Sequence, residues 1–231
     1  LSKIAIIPAR GGSKRIPRKN IRDFLGKPII AYSIITALEC DLFDEVMVST
    51  DDEEIAEVAR KYGAVVPFMR SGKNATDYAT TVDVVIEVIE KYKEINRNFE
   101  YGCCLYPTAP LITADHLIRG LNGLITSNRK SVFPVTKFSY PIWRGLSFNE
   151  KDDVKMIWPE NLNKRSQDLK EAYHDAGQWY WFQVEDIVKG KSLFTDNSSA
   201  IKLPETEVQD IDTETDWKIA ELKFKLMTGE L

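Results

Sequence analysis

An α/β fold built on an open, mostly parallel sheet with helices on both faces is what this sequence predicts, on three observations. Short apolar, strand-like runs alternate with segments of helical period from residue 3 to residue 135. A basic, glycine-containing loop leaves the end of the first run, the sheet edge where such folds take their ligands. With 231 residues and 43% hydrophobic content, the chain can bury one substantial core, so residues 1–231 read as a single domain of Rossmann-like architecture.

Lys3 to Pro8 is a continuous apolar run, the signature of a strand buried on both faces. Pro28 to Leu38 reads as a helix with proline in its first turn, and Glu45 to Ser49 as a second strand. A helix from about Asp52 to Tyr62 starts at Thr50-x-x-Glu53, which fits a capping box, and Ala64 to Met69 is expected to be a third strand. From Thr81 to Glu94, Val82, Val85, Ile86 and Ile89 fall at helical spacing. Tyr101 to Leu105 (strand), Thr113 to Thr126 (helix) and Ser131 to Val135 (strand) continue the alternation. Gln178 to Val184 is strand-like, and Thr215 to Met227 is a terminal helix with Trp217, Ala220, Phe224 and Met227 on one face.

The pattern breaks between Lys137 and Tyr173. Tyr140, Trp143, Phe148 and Trp158 give that stretch more aromatic surface than an irregular segment can bury on itself. Residues 138–172 therefore read as an inserted excursion that packs against a second subunit, the other reading being a hairpin folded over its own sheet.

Composition excludes several classes. A formal net charge of -4 and a pI near 5.4 argue against a nucleic-acid footprint, which needs a basic face or stripe. Neither a run of about 18 apolar residues nor a charged-then-apolar leader is present, so no membrane span or secretion is expected and a cytoplasmic address follows. Cys40, Cys103 and Cys104 have no metal-ligand spacing and read as buried thiols.

The chemistry is concentrated in four segments. In the loop from Ala9 to Asn20, Arg10, Lys14, Arg15, Arg18 and Lys19 all precede the first acidic residue, Asp23. Gly11 and Gly12 would let backbone N–H groups approach an anion, and Arg10, Lys14 and Lys19 would spread charge over a triphosphate. The spacing is neither that of a Walker loop nor that of a dinucleotide fingerprint; a plain solvated basic loop is the alternative. In Val208 to Asp216, an extended backbone would project Asp210 and Asp212 from one face with Ile211 directed inward, a geometry for a hard cation such as Mg²⁺; a helix cap by Asp212 or Thr213 is the other reading. Tyr106 to Thr113 holds two prolines at the ligand edge. Residues 164–182 offer Arg165, Gln167, Tyr173, His174, Asp175 and Gln178 as hydrogen-bonding groups for a polyhydroxylated acid.

Taken together, these segments resemble the CMP-sialic acid synthetases, cytidylyltransferases that activate nonulosonic acids, along nearly the whole chain. IIPARGGSKRIPRKN is similar to that family's nucleotide-binding loop almost residue for residue. The resemblance implies that Ala9, Arg10, Gly11, Ser13, Lys19 and Asn20 hold CTP with Lys14 near the phosphates. It places Arg70 and the Asp77 to Thr81 stretch in a second nucleotide segment, Ala79 and Thr81 lying near the cytidine. Asp210-Ile211-Asp212-Thr213 resembles the metal motif for Mg²⁺ or another divalent cation. Arg10, Lys14, Lys19 and Asp212 would carry catalysis, and the excursion would build a homodimer, with a basic side chain of one subunit reaching the other's sugar.

Two departures bear on the sugar. The sialic acid enzymes have glutamine where this chain has Tyr106, and an Asn-Gly step where it has Asp175-Ala176-Gly177. AYHDAGQWYWF resembles the pseudaminic acid branch, so CMP-pseudaminic acid synthesis is expected, ahead of the N-acetylneuraminate and legionaminate alternatives; such products feed surface glycans, including glycosylated flagellin. The sugar's anomeric hydroxyl would attack the α-phosphorus of CTP and release pyrophosphate, with a metal-bound hydroxide or Asp212 as the base. A nucleotide-binding regulator without catalysis is the remote alternative.

Overall fold

The computed structural model describes residues 1–230. β1 (Lys3–Pro8) is followed by a short hairpin of β2 (Asp23–Phe24) and β3 (Lys27–Pro28), then α1 (Ile29–Glu39), β4 (Glu45–Ser49) and α2 (Glu53–Lys61). Next come α3 (Thr81–Glu94), β5 (Tyr101–Leu105), α4 (Ala114–Thr126) and β6 (Ser131–Lys137). Beyond the excursion with its hairpin of β7 (Leu146–Phe148) and β8 (Val154–Met156), the chain forms β9 (Tyr173–Asp175), β10 (Trp179–Gln183), α5 (Val184–Gly190), β11 (Ser198–Leu203) and α6 (Glu214–Thr228).

The central sheet runs in the order β11-β6-β10-β5-β1-β4, with β9 paired to β6. β1 pairs parallel with β4 and β5, β11 pairs parallel with β6, and β10 lies antiparallel between β5 and β6. Successive side chains of β1 enter opposite cores, as strand pleating requires. Ala5 and Ile7 pack with α1, α2 and α4 through Ile34, Ile55 and Leu121. Ile4 and Ile6 pack with α3 and α5 through Val85, Ile89 and Ile187. Helices therefore cover both faces, and all three cysteines are buried free thiols; burial pushes Cys104 up to about 12.

Several elements differ from expectation. Asp52, not Thr50, caps α2: its carboxylate accepts from the Ile55 amide at 3.1 Å, while Thr50 Oγ1 accepts from the Asp52 amide. Ala64 to Met69 reaches the sheet only through an isolated bridge between Val65 and Met47. Pro67, with no amide hydrogen to donate, stops the ladder there. β9, α5 and β11 have no counterpart in the sequence reading. The excursion does not fold over its own sheet: β7 and β8 pair only with each other, and Phe148 is 68% exposed. It is held locally by Trp143 packed edge-on against Trp158 and by Asn161 donating to the Trp143 carbonyl at 3.0 Å. Among the described residues, no helix is long and apolar enough to cross a membrane.

α4 approaches the sheet closely enough to require a glycine. A Cβ on Gly120 would lie 2.5 Å from Trp179 Cζ3 and 2.7 Å from Trp181 Cδ1, both rings being fully buried. Replacing a mid-helix glycine with alanine ordinarily gains about 0.5–1 kcal/mol, but overpacking a tight core costs about 1–3 kcal/mol. Gly120→Ala is therefore expected to lower the urea midpoint without changing the slope; a higher midpoint would show that the two indoles yield.

Candidate functional site

The site is assembled where the two ends of the chain meet. Ile16 from the basic loop, Phe24, Ile29 from α1, Ile211, and Trp217 and Ala220 from α6 form one buried cluster. Phe24 meets the Trp217 ring edge-on at 5.6 Å, and the Arg22 guanidinium lies 4.6 Å over Trp217 while pairing with Glu214. This packing carries the loop that follows β1 and the Asp210–Asp212 segment to one edge of the sheet.

Polar contacts fix the loop. The buried Asn20 donates from Nδ2 to the Arg10 carbonyl at 2.9 Å, and the Gly11 amide donates to Asp51 at 3.0 Å. A Cβ on Gly11 would stand 2.7 Å from Asp52 Oδ2, so glycine is needed there for close approach to the start of α2. Gly11 thus spends its amide on Asp51 rather than leaving it free for an anion. Arg18, at φ 55°, turns from the cleft to pair with Asp52 and Glu54 and serves as an anchor.

Arg10, Ser13, Lys14, Arg15, Lys19, Asn20, Arg70, Ala79, Thr81 and Tyr106 line a cleft of about 450 Å³, with Asn74, Asp77, Thr80 and Thr108 among the other wall residues. Ala9, which is fully buried, and Gly11 are not part of this lining. Arg70 is buried and held by Ser49, Nε donating to Oγ at 3.1 Å and Nη2 to the carbonyl at 2.5 Å; burial pulls its pKa down, yet a guanidinium remains charged. The individual part of Asp77 was not foreseen. Its carboxylate takes Arg10 Nη1 at 2.5 Å and Lys14 Nζ at 2.5 Å, and these two cations hold it below the usual carboxylate range. The only sequence signal was its place at the head of the Asp77 to Thr81 stretch.

Ile211 is fully buried while Asp210 and Asp212 turn outward, as the spacing predicts. Lys19 reaches between them, Nζ donating to the Ile211 carbonyl at 2.6 Å and lying 3.8 Å from Asp212 Oδ1, which also receives Arg15 at 2.7 Å. Asp210 is accessible to water at its surface but crowded by protein, and this desolvation, with the Asp212 charge, raises its carboxyl above the ordinary range. Burial lowers the Lys19 ammonium, the two aspartates opposing that shift. Two oxygen donors, one of them repelled by the other, fit a hard divalent cation that takes its remaining ligands from phosphate oxygens and water. No larger cluster of metal-binding side chains occurs among the described residues. Of the two cap candidates, Thr213 is the one used: it forms the capping box of α6 with Asp216, which leaves the Asp212 carboxylate outside the cap.

The segment leading to the aspartates is tied to the sheet through Glu207. Its carboxylate meets Nε2 of the buried His116 at 2.8 Å, and its carbonyl accepts from Gln178 Nε2 at 2.6 Å. His116 Nδ1 accepts the Thr113 amide, so Nε2 carries the hydrogen donated to Glu207.

The expected sugar residues separate into groups. Tyr106 is in the cleft, its hydroxyl 3.5 Å from Thr81 Oγ1 and its ring 5.4 Å from that of Tyr180. The Tyr180 hydroxyl donates to Asp175 at 2.5 Å, and Phe133 and Phe194 continue this aromatic wall. Gly177 adjoins Asp210, so the 175–177 turn approaches the metal candidates. Gln178 is buried beneath the turn, with no partner for its Oε1. His174 packs against Phe138, the rings tilted at 56° with centroids 4.8 Å apart, and the Tyr173 hydroxyl donates to Glu171. Arg165, paired with Asp168, and Gln167 lie on the excursion and do not line the cleft.

The family described as cytidylyltransferase matches residues 4–213. A protein of Campylobacter jejuni named pseudaminic acid cytidylyltransferase is 46% identical over 226 residues, which is 98% of this chain and 97% of that one. The CMP-N,N'-diacetyllegionaminic acid synthase of Legionella pneumophila is 34% identical over 225 residues, covering 96% of each. Among solved structures, CMP:2-keto-3-deoxy-manno-octonic acid synthetase complexed with CTP superposes with a TM-score of 0.72 at 19% identity over all of both chains, a likeness of fold.

Burial holds the His116 imidazole below its ordinary range, with Glu207 opposing the shift. The unfolded chain then takes up this proton first, so stability is full above about pH 6.5 and falls as pH drops from there toward the lower folded value. Urea unfolding at about pH 7.5 and about pH 5.5 is expected to show a larger loss in the wild type than in His116→Gln; equal losses would remove His116 from the acid response.

Proposed function

The chain belongs to the cytidylyltransferase family, and from that premise we propose that it transfers CMP from CTP to pseudaminic acid, giving CMP-pseudaminic acid and pyrophosphate. The observation that carries this reading is the 46% identity, over 98% of the chain, to a protein of that name. Tyr106 supports it, because an aromatic stands where the acylneuraminate enzymes have glutamine. Its ring is backed by the buried Tyr180, and Phe133 and Phe194 extend that aromatic cluster, an apolar surrounding suited to deoxy and acylamino groups. CMP-legionaminate synthesis is the second reading, favoured by the Legionella relative.

In this reading Arg10, Lys14 and Lys19 grip the triphosphate, Ser13 and Asn20 orient it, and Ala79 and Thr81 flank the cytidine. The triphosphate displaces Asp77 from Arg10 and Lys14, an exchange of one anion for a stronger one. Asp210 and Asp212 hold a divalent cation, which when bound offsets negative charge on the phosphates. The sugar's anomeric hydroxyl oxygen forms a bond to the α-phosphorus as the bond to the bridging β-phosphate oxygen breaks; pyrophosphate leaves with the bonding pair. Asp212 takes the hydroxyl proton on a carboxylate oxygen, while Lys19 keeps that side chain oriented. Positioning and electrostatics supply most of the rate in such transfers. Two copies assemble through the excursion, whose exposed Leu146, Phe148 and Val154 provide the apolar contact; this contact brings Arg165 or Gln167 to the partner's sugar.

Pyrophosphate release from CTP and Mg²⁺ is expected to be fastest with pseudaminic acid when legionaminic and N-acetylneuraminic acids are run in parallel. A preference for either of the others keeps the chemistry and overturns the sugar assignment. Asp212→Asn is expected to lower turnover by about 100-fold or more with a native circular dichroism spectrum, and near-normal turnover would remove Asp212 from the mechanism. Phe148→Glu combined with Leu146→Glu is expected to sediment at monomer mass, and a dimer unaltered by both changes would place the contact elsewhere.

A further inference from the structure

We propose that Glu87, one turn along α3 from the cleft-lining Val84 and itself outside the cleft, is a positioning residue for nucleotide binding. It holds the 69–74 segment from behind and thereby sets the wall that CTP meets. The inference rests on the nucleotide reading of the cleft.

Glu87 lines none of that cleft, yet its side chain is only 12% exposed and spends both oxygens on the segment behind it. Oε1 accepts the Ser71 amide at 2.8 Å and Lys91 Nζ at 2.8 Å, while Oε2 accepts Ser71 Oγ at 2.7 Å and Asn74 Nδ2 at 2.5 Å. Lys91, one helical turn on, also donates to the Met69 carbonyl at 2.7 Å. The two side chains thus grip the backbone on either side of Arg70, a buried member of the cleft lining. Glu87 also holds Asn74, after which the chain runs through Thr76, Asp77 and Ala79 along the cleft wall. These four donors draw the Glu87 carboxyl down to about 2 against the opposing effect of burial, so the grip is fully charged at neutral pH.

A carboxylate is the one side chain of this length that accepts at both ends. Glutamine keeps the shape but turns one end into a donor, which must face either Ser71 N–H and Lys91 or the Ser71 hydroxyl and Asn74. The segment would then lose a charge-assisted contact while the core, to which Val85, Val88 and Ile89 anchor α3, stays intact.

The test is calorimetric binding of CTP with Mg²⁺, without sugar, to the full-length wild type and Glu87→Gln, followed by steady-state kinetics. About a tenfold rise in the CTP Kd is expected, the worth of one hydrogen bond to a charged group. KM for CTP should rise with it, while kcat at saturating CTP and KM for the sugar stay within about twofold. A folded Glu87→Gln that binds CTP as the wild type does overturns the inference, as does an equal rise in KM for both substrates, the mark of general loosening. If Glu87→Gln does not fold, Lys91→Met, which cuts the Glu87 and Met69 contacts at the solvent side, must show the same CTP-selective weakening; no change there overturns it. A wild type that fails to bind CTP would sink the nucleotide reading and this inference with it, whereas a wild type that binds while the variants are unaffected sinks this inference alone.

Discussion

The site depends on one hydrophobic cluster that joins segments almost two hundred residues apart, Ile16 and Ile211 being buried together with Phe24, Ile29, Trp217 and Ala220. Neither the basic loop nor the aspartate pair has regular structure to hold it; each is placed because an isoleucine at its centre is buried. Truncating a buried isoleucine costs about 2–5 kcal/mol, more than exposed ion pairs contribute at about 0.2–1 kcal/mol each. The Arg15 and Lys19 contacts to Asp212 are therefore consequences of that packing rather than its cause. An apolar side chain fixes where the charges stand, and the charges remain free to exchange partners.

That freedom explains how a chain of net charge -4 can hold a polyanion. In the substrate-free cleft the cations are already matched: Asp77 answers Arg10 and Lys14, and Asp212 answers Arg15. Such pairs are solvent-screened and weak, so a ligand bringing both an anion and a cation can replace them together. The triphosphate would succeed Asp77, and the metal would succeed Arg15 at Asp212. Asp210 makes no such ion pair among the described residues, and desolvation, with the Asp212 charge, raises its carboxyl.

What the sequence made legible was whatever depends on a short window. β1, β4, α3 and β5 fall where the apolar periods put them, because the pattern and the local caps agree. The inward Ile211 between outward aspartates follows from alternation alone. Contacts with distant partners were hidden. Asp52 displaced Thr50 as the cap of α2 because its side chain faces the Ile55 amide, which spacing alone does not reveal. β11, with the polar start Ser198-Ser199, is a strand only because β6 offers it a parallel ladder of six paired residues. Arg18 reads as one more phosphate ligand until Asp52 and Glu54 are seen beside it, and Glu87 reads as an ordinary helix-surface acid until Ser71 and Asn74 fold over it.

The same distinction bears on the choice of sugar. The antiparallel insertion of β10 beside β5 sets Tyr180 opposite Cys104, so its ring lies next to Tyr106 and its hydroxyl reaches Asp175. Burial raises the pKa of both phenols, which keeps them neutral donors at any working pH. In the proposed reading, the route from Thr81 through Tyr106 and Tyr180 to Asp175 would join the nucleotide and sugar regions by neutral hydroxyls and aromatic faces. A glutamine at 106 would bring an amide with both donor and acceptor ends into this wall and need partners for each, whereas tyrosine needs one. Selectivity at this position is then a matter of which sugar leaves no buried polar group unpaired. An aromatic wall meets that condition with methyl and deoxy carbons, and a more hydroxylated sugar does not.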